Sequence, residues 1–184
     1  MPEPMLSPPS VVRTARLVLR RPAMADAVAI FDGYARDPDT VRYLAWRPHA
    51  SLDETRQFLA RSAADWGRGA AFAYAICRPD TAQPFGMIEI ERHPERFRAN
   101  FGYVISRAYW GQGYAAEALS RLVEWALTQP GIWRAAAFCD IENRASARVM
   151  EKAGMAFEGV LRRWSLHPNV SPKPRDCLSY AKVR

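Results

Sequence analysis

The stretch Tyr109-Trp110-Gly111-Gln112-Gly113-Tyr114-Ala115-Ala116-Glu117-Ala118-Leu119 decides the fold, because a glycine-rich turn runs directly into a helix. A strand-like run over residues 101–105 precedes it, and apolar residues recur at helical spacing after it. Such a turn directs unpaired backbone N–H groups and the positive end of the helix dipole at one point outside the chain. Gly111 and Gly113 carry no side chain that would keep a phosphate at a distance. The stretch therefore predicts an anion site, suited to a pyrophosphate.

The composition is that of a globular domain. The chain has 184 residues, of which 49% are hydrophobic and 24% are charged, enough for one domain with a substantial core. Residues 1–10 contain four prolines and no apolar run. We therefore expect a flexible leader over 1–10 and one domain over 11–184, with neither a signal peptide nor a membrane anchor.

The cysteines and the charge limit the partners. Cys77, Cys139 and Cys177 are widely spaced and have no partner at metal-ligand spacing, so we expect no metal site and no disulfide framework, as in a reducing cytoplasm. The 26 basic and 19 acidic residues give a net charge of +7. Because the arginines are scattered and do not alternate with aromatic residues, an anionic cofactor or a solvated basic surface explains this charge better than nucleic acid does.

The hydrophobic period predicts the order of the elements. Residues 14–20 alternate like a strand, and residues 24–34 form an amphipathic pattern. A second helix begins at Ser51, which with Glu54 has the spacing of a capping box. Short links between the next three strands indicate antiparallel hairpins, and Asn143 can cap a late helix. The later elements are predicted as strands over 71–77, 85–91, 97–105, 133–139, 155–166 and 177–183, with a helix over 144–153.

The spacing of the glycines alone leaves two kinds of ligand open. Gly111-x-Gly113-x-x-Ala116 matches the dinucleotide fingerprint, and Asp140 after the next strand is placed like a ribose ligand. That fingerprint belongs to a parallel β-α-β unit, whereas this turn follows antiparallel strands, and the chain lacks residues for a separate substrate domain. A dinucleotide-binding oxidoreductase is therefore kept only as an alternative.

The order of the elements and four motifs resemble the GNAT N-acetyltransferase superfamily over about residues 14–183. The resemblance implies a single-domain α/β (α+β) fold with a mixed, mostly antiparallel sheet of about seven strands and about four helices. Trp110 is a departure, since the superfamily often has Arg or Gln there. The motifs, similar to those of ribosomal-protein N-terminal alanine and serine acetyltransferases, are Thr14-Ala15-Arg16-Leu17-Val18-Leu19-Arg20, Trp110-Gly111-Gln112-Gly113-Tyr114-Ala115, Asn143-Arg144-Ala145-Ser146 and Glu151-Lys152-Ala153-Gly154-Met155-Ala156-Phe157-Glu158-Gly159.

The resemblance implies acetyl-CoA as the acetyl donor. The pantetheine arm would follow the strand end at Val104 and Ile105, where a backbone N–H is the expected oxyanion donor. Asn143 would contact the pantetheine, and Ser146 would lie near the sulfur as a proton donor for the thiolate. A helix cap and a small packing residue are the other interpretations of these two residues. The pyrophosphate would lie on the backbone of Gln112, Gly113, Tyr114, Ala115 and Ala116.

The general base stays open at this stage. Glu89 and Glu91 share one face of a strand, where a half-buried carboxylate has a raised pKa suited to deprotonating an ammonium; a solvated strand face is the other interpretation. In the ribosomal-protein branch an acidic base candidate falls near Ser165, which cannot take that role. His49 and His167 are therefore alternative bases, each also interpretable as an exposed or structural histidine.

The acceptor side of the cleft is expected around Trp46, Arg47 and His49, because the superfamily builds that wall after its first helix. Arg47 can bind an acceptor carboxylate or phosphate, or simply be solvated, and we expect the loop that begins at His167 to face this wall. The implied reaction is direct transfer of the acetyl group to a primary amine of a protein N-terminus or small molecule, in an enzyme of a superfamily that commonly dimerises. A non-catalytic acyl-CoA-binding module is the alternative.

Overall fold

The computed structural model describes residues 6–92 and 97–184; the predicted link over 93–96 and the start of the predicted leader lie outside the described residues. Its strands are β1 (Val11–Arg13), β2 (Val18–Arg20), β3 (Ala71–Cys77), β4 (Pro84–Arg92), β5 (Arg98–Ile105), β6 (Arg134–Asp140), β7 (Ala156–Ser165) and β8 (Arg175–Val183). Its helices are α1 (Ala27–Ile30), α2 (Pro38–Val41), α3 (Leu52–Arg68), α4 (Tyr114–Thr128) and α5 (Arg144–Lys152).

The strands form one mixed sheet, as predicted, with eight strands in the described ranges where about seven were expected. The order is β1-β2-β3-β4-β5-β6-β8-β7, and only the β5–β6 pair is parallel. The extra strand arises because the predicted strand over 14–20 is shorter and is the second arm of a hairpin. Thr14 makes the turn: its backbone N–H donates to the Leu17 carbonyl, and its hydroxyl accepts from the Leu17 N–H.

Successive side chains of a strand point to opposite faces of the sheet, so the sheet carries one part of the core on each face. On β3, Phe72, Tyr74 and Ile76 pack on the face covered by α4 and α5, whereas Ala73 points to the face covered by α1 and α3. On β4, Met87 lies on the α1–α3 side. Since side chains alternate along a strand, Glu89 and Glu91 share the face of Met87 and lie under the α1–α3 layer.

The parallel pair is short, and this opens the sheet. β5 and β6 are in register only from Arg98, opposite Arg134, to Asn100, opposite Ala136. Both strands continue, to Ile105 and Asp140 respectively, without further pairing to each other. The carboxyl ends therefore leave an edge of β5 unpaired with β6, and the glycine turn and α5 follow these two diverging ends.

Two helix predictions need correction, and five helices are found in the described residues where about four were expected. The predicted helix over 24–34 is broken into a 3₁₀ turn (Met24–Asp26), α1 and a π turn (Phe31–Ala35). The capping box of α3 is only half formed. Ser51 Oγ accepts from the Glu54 N–H, but the Glu54 carboxylate accepts from the Ala50 N–H. Within the described ranges, no helix is long and apolar enough to cross a membrane.

Part of the predicted leader packs against the sheet. Leu6 is 7% exposed and belongs to the core on the α4–α5 side. The hydroxyl of Tyr74 donates to the Pro9 carbonyl at 2.6 Å. Apolar burial and a buried hydroxyl partner thus attach residues 6–10 to β3, which the proline content had not suggested.

Candidate active site

One cavity of about 1170 Å³ lies where β5 and β6 diverge, between the glycine turn, α5 and the segment after α2. It brings together most of the residues predicted from the sequence. Arg47 and Gln112 are the two predicted residues that do not line it. The predicted residues that do are Trp46, His49, Glu89, Val104, Ile105, Gly113, Tyr114, Ala115, Ala116, Asn143, Ser146 and His167.

The glycine turn has the geometry of an anion site. Gly111 and Gly113 have φ angles of 75° and 81°, a left-handed conformation that glycine adopts without strain. Gly113 immediately precedes α4, so the unpaired N–H groups of the first helical turn point out of the turn. Gln112 contributes only its backbone, because its side-chain amide donates to the Ala108 carbonyl at 3.2 Å.

Arg16, which lies between β1 and β2, is bonded to the glycine turn. Its Nη1 donates to the Gln112 carbonyl at 3.0 Å, and its Nε pairs with Glu117 of α4 at 2.7 Å. Its guanidinium also lies 4.6 Å from the ring centroid of Tyr114. The arginine of the opening motif therefore ties the turn to the first turn of α4.

Trp110, the departure from the superfamily pattern, has a defined partner. Its indole N–H donates to the Ile105 carbonyl at 2.7 Å, and its ring lines the cavity. This bond holds the glycine turn against the end of β5. The indole N–H of Trp110 is a side-chain donor, as an Arg or Gln at this position would also provide.

Asn143 and Ser146, at the start of α5, lie across the gap that opens where β5 and β6 are no longer paired. Asn143 Oδ1 accepts from the Ser146 N–H at 3.1 Å and so caps α5, as the capping interpretation predicted. The Ser146 hydroxyl is 2.7 Å from the hydroxyl of Tyr103, which is also 3.0 Å from the Ser146 carbonyl oxygen. Burial raises the pKa of the Tyr103 phenol, which therefore keeps its proton at neutral pH.

Glu89 is a carboxylate with a strongly shifted pKa. Burial, followed by the negative charges of Glu91 and Asp65, raises its pKa to about 7. Its cross-strand neighbours on the same face are Ala73 of β3 and Gly102 of β5, so no bulky side chain covers it from either strand. Glu89 is partly buried and Glu91 is exposed, and both line the cavity.

The segment after α2 forms an aromatic wall. His49 lies between Trp46 and Phe58, with ring centroids 5.1 and 6.2 Å away. Its Nδ1 is 2.8 Å from the Thr55 hydroxyl, and burial lowers its pKa, so the ring is neutral at pH 7. Arg47 is exposed and makes no hydrogen bond or ion pair to the described residues, which matches the solvated interpretation.

His167 is buried deeper than a loop histidine was expected to be. It is 3% exposed, and its Nε2 lies 3.5 Å from Cys177 Sγ and 3.9 Å from Asp140 Oδ2. Its loop does face the acceptor wall, as predicted: the Asn169 amide donates to the carbonyls of Val41 and Trp46 at 2.8 Å each.

Asp140 is not available to a ribose. It is fully buried, and its carboxylate accepts from Arg175 and from the backbone N–H of Glu142. Burial alone would raise the pKa of Asp140, but these bonds lower it below its usual value. Together with the antiparallel strands before the turn, this pairing rules against the dinucleotide alternative.

Two site residues were missed from the sequence. Tyr103 and Arg16 both contact predicted site residues, yet neither stood out. In the sequence, Tyr103 is one residue of a strand pattern and Arg16 is one residue of a motif, and neither pattern marks them as site residues. The alternation of β5 could have placed Tyr103 on the α5 side, but its partner Ser146 follows only from the tertiary fold.

Comparison with known proteins gives a consistent result. The family model for the acetyltransferase (GNAT) domain matches residues 16–156. The chain is 30% identical to YoaA of Bacillus subtilis (strain 168), which is named an uncharacterized N-acetyltransferase, over 95% of this chain and 98% of YoaA.

Two solved structures share the fold. The microcin C7 self-immunity acetyltransferase MccE, solved with acetyl-CoA and AMP, has a TM-score of 0.84 at 21% identity and covers 96% of this chain and 98% of its own. RimL, a ribosomal L7/L12 alpha-N-protein acetyltransferase solved with coenzyme A, has a TM-score of 0.82 at 21% identity and covers 94% and 97%. At these identities the likeness concerns the fold.

Proposed function

The chain belongs to the acetyltransferase (GNAT) family and is an acetyl-CoA-dependent N-acetyltransferase, and we propose that it transfers the acetyl group directly to a primary amine held beside Glu89. One observation carries the proposal. The gap between β5 and β6, the glycine turn and a carboxylate with a pKa of about 7 all border the same cavity. Such a carboxylate is ionised in part at neutral pH and can accept a proton from an ammonium.

The residues around the gap fit the donor. The edge of β5 near Val104 and Ile105 is not paired with β6 and offers backbone groups to the amides of the pantetheine, apart from the Ile105 carbonyl that accepts from Trp110. The N–H groups at Gly113 to Ala116 suit the pyrophosphate. Bound acetyl-CoA supplies the activated thioester carbonyl. A backbone N–H of β5 that points into the gap stabilises negative charge on that oxygen.

Ser146 and Tyr103 form the proton-donating pair for the departing thiolate. Ser146 is fixed through its backbone by the Asn143 cap, and its hydroxyl is bonded to Tyr103. Because Tyr103 keeps its proton, the pair holds a transferable proton beside the gap. Asn143 faces the cavity as well, and its amide nitrogen is free to contact the pantetheine while its oxygen caps the helix.

Glu89 is the better base, and the histidines take other roles. His49 is held by Thr55 within the aromatic wall, so it shapes the acceptor side together with Trp46. The Nε2 of His167 faces Cys177 and Asp140, which makes it a residue that supports the loop. Arg47 does not line the cavity and therefore has no role in binding the acceptor in this proposal.

The test is a screen for release of free CoA. Purified protein is incubated with acetyl-CoA and, in separate wells, peptides with N-terminal Ala or Ser, free amino acids, polyamines and aminoglycosides. At least one class is expected to accelerate thiol release well above hydrolysis. A protein that binds acetyl-CoA but releases no CoA with any amine would instead be a non-catalytic acyl-CoA-binding module.

We also propose a cytoplasmic homodimer. The three cysteines are free thiols, which supports a reducing compartment. Phe138 of β6 and Trp164 of β7 are 44% and 56% exposed, with ring centroids 6.2 Å apart, and form an apolar patch that suits a second copy of the chain. Sedimentation equilibrium of the wild type reports the mass directly, and a monomer at all concentrations would exclude the dimer.

A further inference from the structure

Gly102 lies in the middle of β5, directly opposite Glu89 in the register with β4. It is exposed and lines the cavity, although β5 is an internal strand of the sheet. Its neighbours on the same face of the strand, two residues away on either side, are Asn100 and Val104, which line the cavity too. Gly102 is therefore the lowest point of the strand surface beside the proposed base.

Neither the backbone nor the packing requires a glycine at this position. The φ angle of Gly102 is not in the left-handed region, and a Cβ added there would meet no atom within 4 Å. Gly86 on the neighbouring strand is the opposite case, because a Cβ there would lie 2.6 Å from the Val104 carbonyl oxygen. Glycine inside a strand weakens it and often marks a close approach of a ligand, so the reason for Gly102 lies in the space above it.

That space leads to the carboxylate. On the β3 side Glu89 is flanked by Ala73, which is 1% exposed and closed over by the α1–α3 layer. On the β5 side it is flanked by Gly102, where nothing fills the position of a side chain. The open approach to Glu89 along the sheet therefore passes over Gly102.

We propose that Gly102 is a specificity-determining residue whose missing side chain forms the path by which the acceptor amine reaches Glu89. The inference rests on the proposed function, since it assumes that an amine reacts beside Glu89. A side chain at position 102 would occupy the path without touching the glycine turn or Ser146. It would therefore exclude acceptors in order of their bulk next to the amine and leave the donor site intact.

The test is a series of variants, Gly102→Ala, Gly102→Val and Gly102→Leu, with Gly67→Ala as the matched control. Gly67 also has open space at its Cβ, but it lies in α3 outside the cavity lining. For the best amine of the screen, kcat/KM is expected to fall stepwise with side-chain size, by about 10-fold or more at valine. The dissociation constant of acetyl-CoA should stay at the wild-type value and the melting temperature should not fall. Gly67→Ala should match the wild type in kcat/KM and in acetyl-CoA affinity while gaining a little stability, since alanine is a better helix former than glycine.

Gly102→Ala keeps the test decisive where a larger side chain disturbs folding. For this variant the ratio of kcat/KM between an unbranched amine and one branched at the neighbouring carbon should rise, which a purely structural effect would not produce. An unchanged ratio in Gly102→Ala, or wild-type kcat/KM in a folded Gly102→Val, would overturn the inference. Failure of the proposed function is distinct, because the wild-type protein itself would then turn over no amine.

Discussion

At the scale of single residues, the environment of Glu89 determines its chemistry. A carboxylate on a solvated strand would be fully ionised at pH 7 and a poor base. Here burial and the negative charges of Glu91 and Asp65 raise its pKa to about 7, which matches the proton affinity of a base that works near neutral pH. Its small cross-strand neighbour Gly102 leaves it open on the β5 side, whereas Ala73 on the β3 side is itself buried under the α1–α3 layer.

The first prediction concerns the pH dependence of the reaction. In the wild type, kcat/KM for the amine should rise with pH up to about 7 as Glu89 loses its proton. Glu89→Gln should lower kcat/KM by about 10²–10⁴ and remove this limb of the profile. Glu91→Gln is the matched control: it should keep activity but move the limb to lower pH, because it removes a negative charge that raises the pKa of Glu89. A limb unchanged by Glu89→Gln would assign the base elsewhere.

A second prediction concerns the hydroxyl pair at the gap. Tyr103→Phe removes the bond to Ser146 while preserving the partly buried ring. Both Tyr103→Phe and Ser146→Ala should lower kcat by about 10-fold or more, with less effect on the KM for acetyl-CoA, since each interrupts one proton path. The double variant should lose little beyond the larger single effect. Fully additive losses in the measured rates would mean that the two hydroxyls act independently.

At the scale of elements, the opening motif and the glycine turn form one unit. The Arg16 contacts to Gln112, Glu117 and Tyr114 join the start of the chain to a turn about a hundred residues later. The turn presents N–H groups only while Gly111 and Gly113 hold their left-handed geometry, and the bond to the Gln112 carbonyl lies between them. The motif from Thr14 to Arg20 therefore has two roles: its alternating apolar residues form a strand, and its Arg16 holds the glycine turn.

The third prediction tests whether the Arg16 contacts hold the glycine turn in its binding conformation. Arg16→Ala should raise the KM and the dissociation constant for acetyl-CoA by about 10-fold and change the KM for the amine far less. Arg13→Ala, which removes an exposed arginine of β1 with no bond to the turn, is the control and should behave like the wild type. Equal effects of the two substitutions on acetyl-CoA affinity would show that only the loss of positive charge matters.

Local sequence predicted the elements better than it predicted their ends and partners. The strands from β3 onward and the caps at Ser51 and Asn143 follow from residues adjacent in the chain, and the structure confirms them. The split of the predicted strand over 14–20 comes from the turn at Thr14, which the alternating pattern does not reveal, and the helical pattern over 24–34 likewise does not reveal the break into a 3₁₀ turn, α1 and a π turn. The sequence predicts on which strand or turn each site residue lies, but not which residues meet in the fold. Tyr103 and Ser146, whose hydroxyls are 2.7 Å apart, are separated by 43 residues in the chain.

At the scale of the whole molecule, the base is held at a cost in stability. A folded-state pKa of about 7, against an ordinary value of 4.5, means that the native state binds the Glu89 proton more tightly than the unfolded chain does. Stability contributed by this group is therefore lost as pH rises from about 4.5 to 7. Asp140 has the opposite sign, since its pKa is lowered and its contribution is lost only as pH falls below its usual range.

The fourth prediction is a pH-dependent stabilisation. Glu89→Gln should unfold in urea with nearly the wild-type free energy at pH 4. At pH 8 it should be more stable than the wild type by up to about 3.5 kcal/mol, since the pKa rises from 4.5 to about 7 and each pKa unit corresponds to about 1.4 kcal/mol. Glu91→Gln should give a smaller gain of the same sign. A Glu89→Gln variant less stable than the wild type at pH 8 would mean that the ionised carboxylate has a stabilising partner.

The central claim is that the acetyl group passes from acetyl-CoA to an amine beside Glu89. The most direct measurement is the initial rate at which labelled acetyl appears in the best amine of the screen, with wild type and Glu89→Gln at pH 7 and equal acetyl-CoA saturation. We expect label in the amine with the wild type, and a rate at least about 10²-fold lower with Glu89→Gln. Saturation with acetyl-CoA without label in any amine, or equal rates for the two proteins, would contradict the account.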